Sequence, residues 1–426
     1  MNSTTTPTTS LTLSHRVNSI GPSATLRITA KANALQKAGK DILIFAAGEP
    51  DTPTPEVVVE AAVQALRNGE TRYKPALGDV AVREAIAHKL TTQNRIQGLT
   101  KDHVAVTFGA KQALYNACQC LFDVAATGTA PAEAIIPVPS WVSYRPIVEL
   151  AGGKVVTLET LPEHGFKPRP EDFRKLVNER TRAVFLNSPN NPTGAVISPD
   201  EMRAIAEELA HLASSVAPNL VILSDEIYEN IIFDGMQHCS PGSIESIADR
   251  TITINGLSKS ASMTGWRAGY AACPGSFGAE LIQGMGKVQE QSASNVTSFV
   301  MPAMCAALTQ IDDHIKRMRT SFEERSRIMY EGLNTIAGVT CTPIRGAFYA
   351  FPDVSALLGK TTPKGTKLAN STIFAEALLD EAGIAVIQGA AFEGCGDKHI
   401  RFSFAKHVDT LRSGITRFER FCTTLS

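Results

Sequence analysis

Several apolar runs of this chain end on residues able to do chemistry. HVAVTF is followed by Gly109, Ala110 and Lys111 at the start of an amphipathic segment, where small residues let backbone N–H groups approach an anion. AVFLNS leads into PNNPTG, whose Asn190, Asn191, Pro192 and Gly194 form a tight turn that can aim an amide inward. LVILS runs into Asp225, Glu226, Ile227 and Tyr228. TITIN runs into Gly256, Leu257, Ser258 and Lys259, with Arg267 eight residues beyond the lysine. Taken singly, each has a plain explanation: a turn before a helix, an N-capping acid, a lysine that snorkels to solvent.

Together these groups match the needs of one cofactor. Pyridoxal phosphate requires a lysine for its aldehyde, cations and N–H donors for its phosphate, and an acid for its pyridine nitrogen. It also requires a donor to its phenolate oxygen and an aromatic ring over its own. The sequence offers Lys259 for the Schiff base, and for the phosphate Arg267 with the helix start at Gly109, Ala110 and Lys111, beside Ser258. Asp225 is expected to face the pyridine nitrogen, Asn191 and Tyr228 to bond the phenolate oxygen, and Trp141 to stack on the ring.

The elements that must position these residues are short apolar runs alternating with longer amphipathic segments. HVAVTF, AIIPVP, KVVTLE, AVFLNS, LVILSD and TITING read as strands; 111–123 and 199–215 read as helices between them. Such alternation implies crossover helices covering a mainly parallel sheet, and ligands of open α/β sheets bind outside the strands' carboxyl ends. From residue 311 the charged segment IDDHIKRMRTSFEERSRIMYEGL reads as one long helix, and GAFYAF, GIAVIQG and HIRFSFA read as strands of a smaller α+β unit. The expected organisation is an arm over 1–12, a large α/β domain over 51–320, and a discontinuous small domain from 13–50 and 321–426.

The charge balance, 41 Lys plus Arg against 42 Asp plus Glu, provides no basic field for nucleic acid or anionic lipid, so a small-molecule partner is the expectation. The uncharged stretch from Gln291 to Ile311 is too rich in Gln, Asn, Ser and Thr to cross a bilayer. MNSTTTPTTS lacks the charge and apolar core of a secretory signal. With eight cysteines lacking a CxxC pair, and histidines without HxxxH spacing, a metal-free, thiol-reduced cytoplasmic protein is expected. The glycine pair Gly284 and Gly286 lacks the third glycine and preceding strand of a dinucleotide site.

The order of LSHRV, PSATL, AAGEPD, YKPALG, FGAKQAL, SWVSY, NSPNNPTGA, SDEIYE, NGLSKSASMTGWRAGY, GAFYAF and IRFSFA resembles the fold type I aminotransferases, and among them the bacterial-type aspartate aminotransferases. The resemblance implies that Lys259 is the imine lysine and proton shuttle, that Arg401 grips the substrate α-carboxylate, and that Gly48 supplies a backbone contact beside it. It also implies a homodimer with shared sites, Tyr73 reaching the cofactor phosphate of the neighbouring subunit. Lys111 and Trp141 would meet the distal carboxylate of aspartate or glutamate, with Asn191 also at the substrate; the alternatives are a solvent-facing lysine and plain ring stacking. The chain departs from the family in AATGTAPAEA, a longer loop expected near the site, in Ser140 where a tyrosine is common, and in Gly256 where some relatives carry a hydroxyl. Transaminases for aromatic, kynurenine or prephenate-type substrates, and lyases on the same fold, would share the machinery. A regulator built on the same module would need a DNA-binding domain ahead of the core, for which fewer than fifty residues precede AAGEPD.

Overall fold

The structure, a computed structural model, describes residues 11–18, 20–22 and 24–426; the expected arm falls largely outside them. The apolar runs become strands of one seven-stranded sheet. In chain order these are β1 (Val104–Thr107), β2 (Glu133–Val138), β3 (Lys154–Glu159), β4 (Thr181–Asn187), β5 (Val221–Asp225), β6 (Thr251–Gly256) and β7 (Gly269–Ala272). Their spatial order is β1-β7-β6-β5-β4-β2-β3. The β2–β3, β2–β4, β4–β5 and β5–β6 pairs are parallel, whereas β7 runs antiparallel to both of its neighbours.

The strand that sequence patterning missed is β7. GYAA has neither a long apolar run nor β-branched residues, and its place is set by contact: a Cβ on Gly269 would fall 2.4 Å from the carbonyl carbon of Gly109. Apart from the edge strand β3, where only Leu158 is buried, the other strands are buried on both faces, as the Val- and Ile-rich runs require. Ile136, Phe185, Leu223 and Ile252 face one apolar cluster, which includes Leu114 and Ala117 of the helix Ala110–Leu121. Ile135, Val184 and Ile222 face the other cluster, with Ile205 and Leu209 of the helix Pro199–Ser215. That second helix starts where the sequence places it. Ser198 caps it, Glu201 reaches back to the Ser198 N–H at 2.8 Å, and a proline occupies the first turn.

The helix Asp312–Asn334 leads to a third apolar cluster, around Phe322, Phe348, Phe402 and Phe418. There Ile387–Gln388, Ile400–Ser403 and Tyr349–Ala350 form a three-stranded antiparallel sheet. GIAVIQG divides at Val386, because its first half, Ile384–Ala385, pairs instead in parallel with Leu43–Ile44. The chain before residue 50 thereby returns to the C-terminal elements, bringing the AAGEPD turn to the carboxyl ends of the central strands.

Candidate active site

A cavity of about 450 Å³ opens at those carboxyl ends. Ala110 and Lys111 enter it after β1, Trp141 after β2, Asn187 and Asn191 at and after β4, Asp225 and Tyr228 at and after β5, and Ser258, Lys259 and Arg267 after β6. Gly48 and Glu49 of the AAGEPD turn, with Tyr349 and Arg401 of the three-stranded antiparallel sheet, also line it. The structure therefore gathers most of the residues picked out in the sequence. Gly109 stands just behind the wall, while Tyr73 lies outside it, 89% exposed in the single chain.

Gly109 adopts a positive φ of 81°, which ends β1 and starts the helix Ala110–Leu121 without a side-chain cap. Among the described residues nothing accepts from the Ala110 and Lys111 N–H groups, leaving them open to an anion. Arg267 is clamped over this helix start, donating to the Phe108 carbonyl at 3.1 Å and the Thr264 carbonyl at 2.9 Å. A Cβ at residue 109 would lie 2.6 Å from its guanidinium, so only glycine lets the cation approach this closely. A guanidinium and two free N–H groups around one open point fit a phosphate monoester.

A part-buried amine and a buried carboxyl flank the middle of the cavity. Burial pulls the Lys259 amine down to about 8, helped by Arg401 and Arg267 and opposed by Glu49; the amine donates to the Gly48 carbonyl at 2.5 Å. Burial pushes the Asp225 carboxyl up to about 6, against the Tyr144 hydroxyl that donates to it at 2.7 Å and the Ile227 N–H at 3.3 Å. An amine that is part-neutral near pH 8 fits capture of an aldehyde, and a buried acid fits pairing with a protonated ring nitrogen. With the phosphate cradle, these groups fit pyridoxal phosphate.

Arg401 is 2% exposed and carries no carboxylate partner among the described residues. It donates to the Asn191 amide oxygen at 2.9 Å and to the Ala46 carbonyl at 2.9 Å, and its Nε bonds nothing. Its guanidinium lies 4.4 Å from the Tyr349 ring and 5.1 Å from that of Phe392. A buried cation satisfied only by neutral groups is a receptor for an anion. Lys111 keeps an exposed side chain in the single chain, but its amine sits 4.9 Å over the Trp141 ring in the cavity wall, and partial desolvation, with Arg267 nearby, lowers its proton affinity.

Three expectations need correction or refinement. The AATGTAPAEA loop precedes β2 and lies at the amino end of the sheet, opposite the cavity, and residues 124–132 contribute nothing to the lining. Ser140 is buried and donates its N–H to the Phe392 carbonyl rather than lining the cavity. At Gly256 a Cβ would stand 2.9 Å from the Ala268 carbonyl, so a hydroxyl-bearing residue there would displace the β6–β7 pairing.

Sequence reading missed Tyr144, the last residue of SWVSY, and Tyr349 in GAFYAF. It also missed a buried polar cluster behind the site. Glu226 accepts from Ser224 and Ser240 and meets His238 at 2.8 Å; Glu229 takes the Lys89 ammonium, Asn94 and Asn255. Ligand atoms of Glu226, Glu229 and His238 come within 4.8 Å of one another, but the compensating positive charge is the Lys89 side chain. Among the described residues no helix is long and apolar enough to cross a membrane.

A family model described as aminotransferase class I and II matches residues 40–417. The chain is 40% identical over 415 residues to an aspartate/prephenate aminotransferase of Cereibacter sphaeroides, covering 97% of this chain and 99% of that protein. It is 40% identical to an aspartate aminotransferase of Geobacillus stearothermophilus, covering 96% of this chain and 98% of that one. The aspartate aminotransferase structure from Rhizobium meliloti superposes with a TM-score of 0.89 at 37% identity, over 98% of this chain and all of that one. A Thermus thermophilus aspartate aminotransferase solved with maleate superposes at 0.87, also at 37% identity, over 97% of this chain and all of that one.

Proposed function

The chain belongs to the class I and II aminotransferases, enzymes that work with pyridoxal phosphate, and from that membership we propose that it moves the amino group of aspartate or glutamate to a 2-oxo acid in two half-reactions at one site. The observation that carries this choice of substrate is the pair of cations in the cavity. Arg401 is buried without a carboxylate partner among the described residues, and Lys111 lies over Trp141, giving a dicarboxylate one cation for each end. That a Thermus thermophilus relative was solved with maleate, itself a dicarboxylate, supports the same reading.

Pyridoxal phosphate, when bound, supplies an aldehyde for the amino group and a ring that accepts electron density from the substrate's α-carbon. Arg267 with the N–H groups of Ala110 and Lys111 would hold its phosphate beside Ser258, and Trp141 would cover its ring. Asp225 would keep the ring nitrogen protonated. Tyr228 would donate to its phenolate oxygen with the amide nitrogen of Asn191, whose oxygen is already taken by Arg401. Lys259 would anchor the aldehyde and, once displaced by the incoming amine, take the α-proton, for which an amine near 8 is suited. Gly48 would border the α-carboxylate on Arg401 through its backbone.

The active unit we propose is a homodimer in which Tyr73 serves the neighbouring cavity, since an 89% exposed ring outside its own cavity has no task within one chain. The large unit over 51–320 would carry the cofactor, and the smaller unit from 13–50 and 321–426 would carry Arg401. The test is a panel of amino donors with 2-oxoglutarate as acceptor, the purified protein being loaded with pyridoxal phosphate. Aspartate and glutamate are expected to give the highest kcat/KM; faster turnover of alanine or phenylalanine would sink the dicarboxylate reading. Prephenate belongs among the acceptors, because a 40% identical relative bears that name as well.

A further inference from the structure

Tyr349 belongs to none of the roles assigned above, yet it touches the parts of the site that hold the two ends of the reaction. Its strand Tyr349–Ala350 pairs with Ile400–Ser403, the strand of Arg401, and its ring lies 4.4 Å from the Arg401 guanidinium. Its hydroxyl meets the Tyr228 hydroxyl at 2.9 Å, and both side chains are buried. A Cβ on Gly48 would stand 2.5 Å from that hydroxyl, so the phenol is wedged against the turn whose carbonyl receives Lys259.

A phenol has one hydrogen to give. If Tyr228 is to donate into the cavity, it cannot donate to Tyr349, so the bond between them must run from Tyr349 to the Tyr228 oxygen. A donor on that oxygen makes the Tyr228 O–H a stronger donor in turn. The ring, meanwhile, fixes the plane of a guanidinium that among the described residues has no ion partner to fix it.

We propose that Tyr349 is a positioning residue with two separable actions: its hydroxyl orients the Tyr228 hydroxyl toward the cofactor, and its ring holds Arg401 for the substrate carboxylate. This rests on the roles proposed for Tyr228 and Arg401, so the experiment includes variants of both.

The first measurement is the pH titration of the bound cofactor's visible absorbance, which needs no turnover. Loss of a donor leaves the phenolate oxygen more basic, so a proton shared nearby is held to higher pH. Tyr349→Phe, which loses only the hydroxyl, is expected to shift the titration upward by roughly half a pH unit. Tyr228→Phe is expected to shift it further, and adding Tyr349→Phe to Tyr228→Phe is expected to change nothing more. A Tyr349→Phe shift that persists undiminished in the Tyr228→Phe background overturns the hydroxyl's action through Tyr228. A Tyr228→Phe titration identical to that of the parent overturns the role of Tyr228 itself, and this half of the proposal with it.

The second measurement is binding of 2-methylaspartate, which lacks the α-proton and is not turned over. Tyr349→Leu is expected to bind it roughly tenfold more weakly than the parent, whereas Tyr349→Phe, which keeps the ring, is expected to match the parent. Equal affinities for the Leu and Phe variants, in an assay where Arg401→Ala does weaken binding, overturn the ring's action. Cofactor content measured on each variant confirms that the holoenzyme is being compared.

Discussion

The Arg401 guanidinium donates to the side-chain oxygen of Asn191 at 2.9 Å, joining the last strand of the small antiparallel sheet to the turn after β4. This bond leaves the amide nitrogen of Asn191 facing the cavity and holds the arginine without neutralising it. Arg401→Ala is accordingly expected to lower kcat/KM for every amino acid in a panel, by about 2 to 5 kcal/mol in transition-state terms, because all share the α-carboxylate. Steady-state kinetics over acidic, small and aromatic donors check this; a loss confined to aspartate and glutamate would place the distal carboxylate on Arg401 instead.

Lys111 makes the complementary case. Its amine lies over Trp141 within the cavity wall, so Lys111→Ala is expected to reduce kcat/KM for aspartate and glutamate while leaving alanine and phenylalanine nearly unchanged. Equal losses across the panel would falsify a role in recognising the distal charge.

How much of this was legible in the sequence depended on how local each constraint was. Lys259, Asp225 and Asn191 each sit at or just beyond the end of an apolar strand, so strand pattern and residue type together marked them. Tyr144 and Tyr349 gave no such mark: an aromatic in a mixed segment looks like core until Asp225, Tyr228 and Arg401, all more than fifty positions away in the chain, are seen beside it. The strand β7 was invisible for a related reason, since its glycine answers to close approach by Gly109 rather than to strand propensity. The 124–132 loop was misplaced because its length is a sequence property, whereas the end of the sheet it occupies follows only from strand direction.

The groups that suit the cofactor are unfavourable without it. Asp225 has a folded value near 6, raised from 3.8, so the cofactor-free protein gives up stability as pH rises between those values, by about 3 kcal/mol in full. Lys259, held near 8 instead of 10.5, carries its penalty below pH 8 and is relieved as pH rises toward 10.5. Asp225→Asn is therefore expected to be more stable than the parent at pH 7 when cofactor-free, and to lose that advantage at pH 4. Urea unfolding at the two pH values checks this, and an advantage of equal size at both would assign the effect to packing.

Behind Asp225 and Tyr228, the alternate residues Glu226 and Glu229 face the buried cluster with Lys89 and His238. Lys89 and Glu229 are an ion pair with both side chains less than 10% exposed, so Lys89→Met would strand a buried carboxylate and is expected to destabilise by about 3 to 5 kcal/mol. Burial works against the charged form of His238, but Glu226 and Glu229 outweigh it and raise its proton affinity. A raised value means stability that is complete below the ordinary 6.5 and is lost as pH climbs through the folded value. His238→Gln should flatten that decline in urea-unfolding curves taken from pH 6 upward, and an unchanged slope would show that other groups cause it.

The shared site gives the last prediction, and it turns on Tyr73. The residue stands in RYKPALGD, exposed in the single chain and outside the cavity that its own Lys259 lines. If its phenol serves the neighbouring cavity, each site combines Lys259 of one chain with Tyr73 of the other. Lys259→Ala alone abolishes both sites of a dimer, and a disabling replacement of Tyr73 impairs both sites as well. Refolded together, the two variants form mixed dimers in which one site collects both defects and the other holds an intact lysine with an intact tyrosine. Activity is then expected to return, up to about a quarter of the parent's per chain when random pairing makes half of the dimers mixed, each with one working site. Mixed dimers shown to form by mass, yet with no recovery of activity, would mean that Tyr73 acts within its own chain.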